Sequence, residues 1–272
     1  MTGSQAPGLR AGTYLRLLGI FYRNSLLNEM EYRLKFWANV GLSLFWLVWA
    51  ALSVRVYFRF TGTIAGWAYH EVLVVMGLFF TVNGIHQALI TPNLARMTEY
   101  VQKGTLDYLL TKPVDSQFLV SLRHIGVHNW ADPLLGLGLV GYGLARGGTA
   151  PDAGAVGLFA VLLAAATVLL YGVSLLLQTL TIWSVSSRGM DDVIEGLLET
   201  GRFPVSFYGG AVQGLLTAVV PVAFMTTFPA EALLGRAGWP VAVLAVTVSA
   251  TIFLAASVFW RFALRSYTGA GS

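Results

Sequence analysis

The chain has 272 residues, of which 56% are hydrophobic and only 11% are charged, and its mean hydropathy is +0.68. A soluble domain carries roughly 25% charged residues, so most of this exterior must face lipid. The net charge is only +4, and the basic residues sit at the ends of apolar runs, which excludes a nucleic-acid partner. The absence of cysteine excludes disulfides, thiol catalysis and zinc–thiolate sites.

The charge-free runs predict an all-α membrane protein that forms one domain over residues 1–272. A helix needs about 20 apolar residues to cross a hydrocarbon core of about 30 Å. Five runs satisfy this length, at about 36–56, 70–91, 154–186, 204–228 and 238–260. A sixth span is predicted at 118–145, where Asp132 interrupts a segment rich in small residues that allow close helix packing.

The segments that flank these spans predict the orientation of the chain. Residues 13–34 alternate apolar and charged positions at helical spacing, which favours an amphipathic helix along the membrane interface. The alternative is a continuation of the first span. With six spans, 13 of the 17 Lys and Arg residues fall on the side of the termini. The positive-inside rule therefore predicts that both termini are cytoplasmic.

One cytoplasmic connection, 91–117, is longer than a simple turn between helices requires. Thr91 and Pro92 are typical of a helix start, and Lys103-Gly104 is typical of a helix end. A second short helix follows and is stopped by Pro113. Such a paired element suits insertion into a groove on another protein; the alternative is a solvated hairpin.

The stretch from Glu99 to Pro113, EYVQKGTLDYLLTKP, resembles the coupling segment of ABC-2 type permeases, the membrane subunits of many bacterial ATP-driven exporters. The resemblance extends to the interfacial helix, the six spans of the compact subgroup, and the run from Pro221 to Phe224 followed by Pro229. In such permeases this run is a re-entrant or broken segment before the last span. The resemblance therefore implies a multi-pass protein of the bacterial inner (cytoplasmic) membrane.

The family resemblance also implies partners and site residues. The expected partners are two copies of an ABC ATPase subunit, a second permease subunit that is identical or related, and membrane lipid. ATP and Mg would be bound by the ATPase, so no cofactor is expected in this chain. The implied ATPase-coupling residues are Glu99 at the docking rim, Gly104 and Thr105 at the turn, Leu106, Asp107, Leu109 and Leu110, and Pro113 at the end.

Polar residues inside the apolar runs are candidates for a substrate path. Asn83, His86 and Gln87 share one face of the second span, although such side chains also join helices by hydrogen bonds. His124, His128 and Asp132 are spaced by four residues and are therefore expected on one helix face. That spacing could suit a divalent metal, but a stripe that lines the bundle interior is favoured. No metal site is predicted, and the substrate path is assigned to Asn83, His86, Gln87, His128 and Asp132.

These patterns predict the permease subunit of an ATP-driven exporter of an amphipathic or apolar substrate. The phosphate-binding pattern GxxxxGK[ST] is absent, so the chain is not expected to be an enzyme that hydrolyses ATP by that route. One alternative is a stand-alone secondary transporter or channel, although residues 36–145 and 153–262 show no convincing repeat. Another is an intramembrane enzyme that uses His124, His128 and Asp132.

Overall fold

The computed structural model of the chain describes residues 11–30, 33–183, 188–218 and 222–267, and helices dominate all four ranges. Four helices are long and apolar enough to cross a membrane: Phe36–Tyr57, Tyr69–Gln102, Ala153–Ile182 and Trp239–Ser266. The helical membrane class follows from the sequence because apolar runs of this length satisfy their backbone hydrogen bonds only as helices when they lie in lipid.

The N-terminal part consists of helices α1 (Ala11–Met30) and α2 (Arg33–Tyr57). Helix α1 touches the rest of the protein at few points. The Tyr14 ring packs edge-on against Phe118 with centroids 4.8 Å apart, and Ser25 Oγ accepts a hydrogen bond from the Ile125 N–H at 3.3 Å. Its location along the membrane interface stays a prediction, and the junction at 31–32 lies outside the described residues.

A short antiparallel hairpin joins α2 to the central helix. Its strands are β1 (Thr63–Ile64) and β2 (Trp67–Ala68), and helix α3 (Tyr69–Ile85) begins directly after β2. Helix α3 continues through a π-helical turn, His86–Ile90, into a series of short helices. These are α4 (Thr91–Leu94), α5 (Met97–Gln102), α6 (Leu106–Leu110) and α7 (Ser116–Leu122).

The predicted continuous span at 118–145 is wrong, because the chain between α7 and the next helix is not α-helical. Residues 123–126 form no helix, and Val127–Trp130 is a 3₁₀ turn. Helix α8 is Ala131–Gly147, 17 residues long, or ~26 Å at 1.5 Å per residue. It packs along α3, and the two backbones meet at Gly77 and Gly136, where neither residue has a side chain to hold them apart.

The C-terminal half is built on two long helices that pack together, α9 (Ala153–Thr179, extended by a 3₁₀ turn to Ile182) and a final helix, Trp239–Ser266. Between them lie α10 (Arg188–Thr200), the 3₁₀ turn Val205–Phe207, α11 (Gly210–Ala218), the 3₁₀ turn Val222–Phe224, and α12 (Thr227–Leu233). The final helix is α13.

The segment before α13 is bent, as a broken span or a re-entrant loop would be. Gly210–Thr217 and Val222–Leu233 are inclined by 66° to each other; Pro221 lies outside the described residues. Just after this segment, Arg236 forms an ion pair with Glu71 in the first turn of α3. By length and composition the described residues therefore contain four candidate spans, or five if the bent pair crosses as one, so the prediction of six spans is not confirmed.

Candidate functional site

Helices α5 and α6 present a polar, exposed surface at the end of the bundle. The residues of this α5–α6 surface have exposed side chains: Glu99, Lys103, Thr105, Asp107, Tyr108 and Pro113. Glu99 Oε1 and Lys103 Nζ are 2.7 Å apart, and the Lys112 ammonium lies 4.6 Å from the centre of the Tyr108 ring. The surface thus carries both signs of charge and one accessible aromatic ring.

Apolar side chains anchor this surface from beneath. Leu106 is fully buried and Leu109 is 3% exposed, and both belong to the main hydrophobic core. Leu110 is half-buried against the same core. The leucines implied by the resemblance therefore attach α6 to the spans, while Thr105 and Asp107 stay accessible.

The turn between α5 and α6 depends on glycine. Gly104 has φ +66°, a left-handed conformation that residues with a Cβ adopt at a cost. The Gly104 N–H bonds the Val101 carbonyl at 3.2 Å and closes α5. Helix α5 also packs against the 3₁₀ turn Leu180–Ile182 at the end of α9.

The π-helical turn His86–Ile90 links the α5–α6 surface to α8, and the sequence reasoning missed it. Pro92 has no N–H, so it leaves the Ala88 carbonyl without the helical donor four residues ahead. The Gly126 N–H bonds that carbonyl at 2.8 Å, and Asn129 Nδ2 bonds the Gln87 carbonyl at 2.8 Å. A proline inside an apolar run is the sequence signal that predicts such freed carbonyls.

Asn93, in α4, is hydrogen-bonded to the chain that follows α7. Its side chain is buried, and its Nδ2 donates to the His124 carbonyl at 2.7 Å and to the Leu89 carbonyl at 2.8 Å. Its Oδ1 accepts from the His124 N–H at 2.7 Å. Because this amide takes both backbone groups of His124, the chain cannot continue α7 into α8, which explains the break in the predicted span.

The break also overturns the expected common face of His124, His128 and Asp132. His124 Nε2 lies 3.4 Å from the Arg96 guanidinium, His128 is half-buried in the 3₁₀ turn, and Asp132 lies in the first turn of α8. The pKa of His124 is lowered to about 4, mainly by burial and in addition by the positive charges of Arg96 and Arg123. In the part of the chain that the structure describes, no three His, Asp or Glu residues form a metal-binding group.

Two of the candidate path residues meet in a cavity of about 440 Å³ between α2, α3, α8 and the end of α10. Asn83 and Asp132 line it, together with an ion pair in which Arg202 Nη1 lies 3.4 Å from Glu199 Oε2. The remaining lining residues are Asn39, Leu42, Ser43, Trp46, Phe79, Phe80 and Asn129. The cavity therefore has a charged end and an aromatic wall, and it is open to the surface, because the side chains of Leu42, Trp46 and Glu199 are more than half exposed.

The other candidate path residues do not line this cavity. His86 is buried, with Nε2 3.1 Å from Ser174 Oγ on α9 and Nδ1 3.2 Å from Thr91 Oγ1. Gln87 is half-buried, and its backbone carbonyl accepts from Asn129. His86 thus joins two helices, as the packing alternative for this face expected.

Spans of this length, with charged side chains gathered at a cavity and an exposed surface at one end, define a multi-pass membrane transport component. Residues 44–271 match the model of a family described as ABC-2 family transporter protein. Because the match covers most of the chain, the protein belongs to the ABC-2 transporter family and is an ABC transporter permease. No curated protein and no solved structure matches the chain.

Proposed function

We propose that this chain is the membrane subunit of an ATP-driven exporter and that a separate ATPase subunit docks on the α5–α6 surface. The observation that carries the proposal is the combination of exposed polar residues with the buried anchors Leu106 and Leu109. An element that only joined two spans would not need core leucines beneath an exposed, charged ridge.

Two sets of contacts would transmit a movement of the docked ATPase from the coupling segment to the membrane helices. One route runs from α5 to the end of α9 through direct packing. The other runs from Asn93 to His124 by hydrogen bonds and then along the chain to Asn129 and Asp132, which both line the cavity. A pair of permeases with two ATPase copies would use these routes to open a path for an amphipathic or apolar cargo past Asn83 and Asp132.

The first prediction tests the coupling role of Gly104. A Gly104→Val variant should uncouple ATP hydrolysis from transport, because a β-branched residue at φ +66° costs at least about 1–2 kcal/mol and redirects α6. Gly148→Val is a matched control: Gly148 also has φ +66° but ends α8 at the opposite end of the bundle. The measurement is recovery of the permease–ATPase complex and cargo-stimulated hydrolysis for both variants.

A second variant separates docking from folding. Glu99→Lys reverses an exposed rim charge, and an exposed ion pair such as Glu99–Lys103 adds little to stability. Binding of the ATPase should therefore weaken in a salt-sensitive way while membrane insertion is unchanged. Normal complex recovery and transport in both Gly104→Val and Glu99→Lys would refute the docking assignment. Transport by the purified chain without any ATPase would favour the stand-alone transporter or channel.

A further inference from the structure

A second cavity of about 440 Å³ lies between α7, α9 and α13, away from the cavity that holds Asp132. Its back wall is a network of hydrogen bonds. Gln117 Nε2 donates to Tyr171 Oη at 3.1 Å and to Ser257 Oγ at 3.0 Å, and Ser121 Oγ lies 2.7 Å from Tyr171 Oη. These bonds join all three helices, so the polar wall is held in place before anything binds.

Two opposite charges line the same groove. Arg261 on α13 and Asp115 before α7 both face it, and within the described ranges neither side chain forms an ion pair. Asp115 Oδ1 accepts the Phe118 N–H at 2.9 Å and so caps α7, which fixes the carboxylate in position. The groove therefore offers a cationic donor and an anionic acceptor to a ligand that carries both charges.

The mouth of the groove is apolar and continuous with the outer face of α13. Phe118, Leu122 and Phe253 line it, and Phe253 is 37% exposed. The neighbouring α13 residues Leu254, Val258 and Phe262 are 57–64% exposed. A helix face this apolar and this exposed in a spanning helix contacts lipid tails, so the groove opens to the bilayer.

We propose that this groove binds a phospholipid whose headgroup carries a primary ammonium. Its phosphate pairs with the Arg261 guanidinium, its ammonium donates to Asp115 and to the Gln117 side-chain carbonyl oxygen, and one acyl chain runs along Phe253. A guanidinium suits phosphate because it offers several donors in one plane. A primary ammonium suits Asp115 because it has three N–H donors, which a quaternary ammonium lacks.

The site has a direct connection to the coupling segment. Helix α7, which contributes Asp115 and Gln117, follows α6 after a short turn and packs against it. A headgroup that bridges α7 and α13 would hold the C-terminal end of the coupling segment against the membrane helix α13. The proposal concerns lipid binding by the permease alone, so it does not depend on ATPase docking.

The test measures lipid binding to the purified full-length chain by native mass spectrometry in detergent. The probes are dioleoyl-phosphatidylethanolamine, dioleoyl-phosphatidylcholine and the water-soluble glycerophosphoethanolamine. We expect the first lipid to bind at least about tenfold more tightly than the second, because a quaternary ammonium loses the hydrogen bonds to both Asp115 and Gln117. We expect the soluble headgroup to bind at least tenfold more weakly than the lipid, because it has no acyl chain to place along Phe253.

Three variants locate the site. Arg261→Gln should weaken both lipids about tenfold, and Asp115→Asn should reduce the preference between them, because it removes the carboxylate charge while the amide oxygen still caps α7. Arg265→Gln is the matched control, because Arg265 is exposed in the last turn of α13 but does not line the groove. Equal wild-type affinity for the two lipids, an Arg261→Gln variant that binds like wild type, or a soluble headgroup that binds as well as the lipid would each overturn the proposal.

Discussion

At the scale of single residues, a few buried polar groups decide where this chain stops being helical. Asn93 is 2% exposed and satisfies three backbone groups that would otherwise be buried without partners. Such unpaired groups cost about 1–3 kcal/mol each. His124 sits at the centre of this arrangement, and its imidazole must stay neutral beside Arg96 and Arg123.

The depressed pKa of His124 predicts acid sensitivity. Its folded-state pKa is about 4 against an ordinary value of 6.5, so the unfolded chain binds more protons between these values. Stability should therefore fall as the pH drops from 6.5 towards 4. His124→Gln removes the titrating group and should flatten this part of the profile, measured as the thermal unfolding midpoint against pH in detergent. Parallel profiles for wild type and variant would show that His124 does not contribute.

At the scale of helices, the α3–α8 pair shows how lipid-embedded helices attract each other through close approach. There is no hydrophobic driving force between apolar surfaces that already lie in lipid. The gain comes from backbone contact where Gly77 and Gly136 face each other. The small-residue segment identified in the sequence thus has a definite contact face: Gly136 and Gly143 lie against α3, whereas Gly138 and Gly141 point into open space.

This asymmetry predicts opposite effects for two similar substitutions. In Gly136→Ala the new Cβ would lie 2.5 Å from the Gly77 carbonyl oxygen, so the helices must separate at a cost of about 1–3 kcal/mol. In Gly138→Ala no atom lies within 4 Å, and the higher helix propensity of alanine should stabilise the protein by up to about 1 kcal/mol. Unfolding midpoints in detergent should shift in opposite directions. Equal shifts would mean that α3 and α8 do not meet at Gly136.

At the scale of the whole molecule, the two groups of basic residues predicted from the sequence agree with the two ends of the helical bundle. The α5–α6 surface carries Lys103 and Lys112 and lies at the opposite end of α3 from the hairpin β1–β2. Arg202 is an exception among the 13 basic residues that the sequence assigns to the side of the termini, because it lines the cavity beside Asp132 with its guanidinium 5.6 Å from the centre of the Phe79 ring. The predicted orientation therefore rests on the other basic residues.

The orientation can be tested with single cysteines, because the natural chain has none. Gly62→Cys, in the hairpin connection, should react with a membrane-impermeant maleimide in intact cells. Thr111→Cys, exposed after α6, should react only after the membrane is permeabilised. Both positions are accessible, so a difference in labelling reports sidedness. The reverse pattern would place the α5–α6 surface outside the cell and refute the predicted orientation.

The sequence by itself determined the class of this protein and the position of the glycine turn between α5 and α6. The length of an apolar run decides whether a helix can cross lipid, and this property is additive along the chain. The turn at Gly104 could also be predicted from the sequence. A helix often ends at a residue in the left-handed conformation, and glycine adopts that conformation without a steric penalty.

Only the tertiary structure decided where the predicted span at 118–145 breaks and which charges meet. Apolar periodicity over that run favours one helix. The side chain of Asn93, however, binds the backbone N–H and carbonyl of His124, which lies 31 residues further along the chain. Likewise Asp132 and Glu199 share a cavity although 67 positions separate them. Hydrogen bonds and charge pairs between distant residues depend on how helices pack, and packing geometry has no periodic signal in a single sequence. Local composition therefore predicted the long membrane helices, whereas the long-range hydrogen bonds of Asn93 decided where the helix predicted at 118–145 is interrupted.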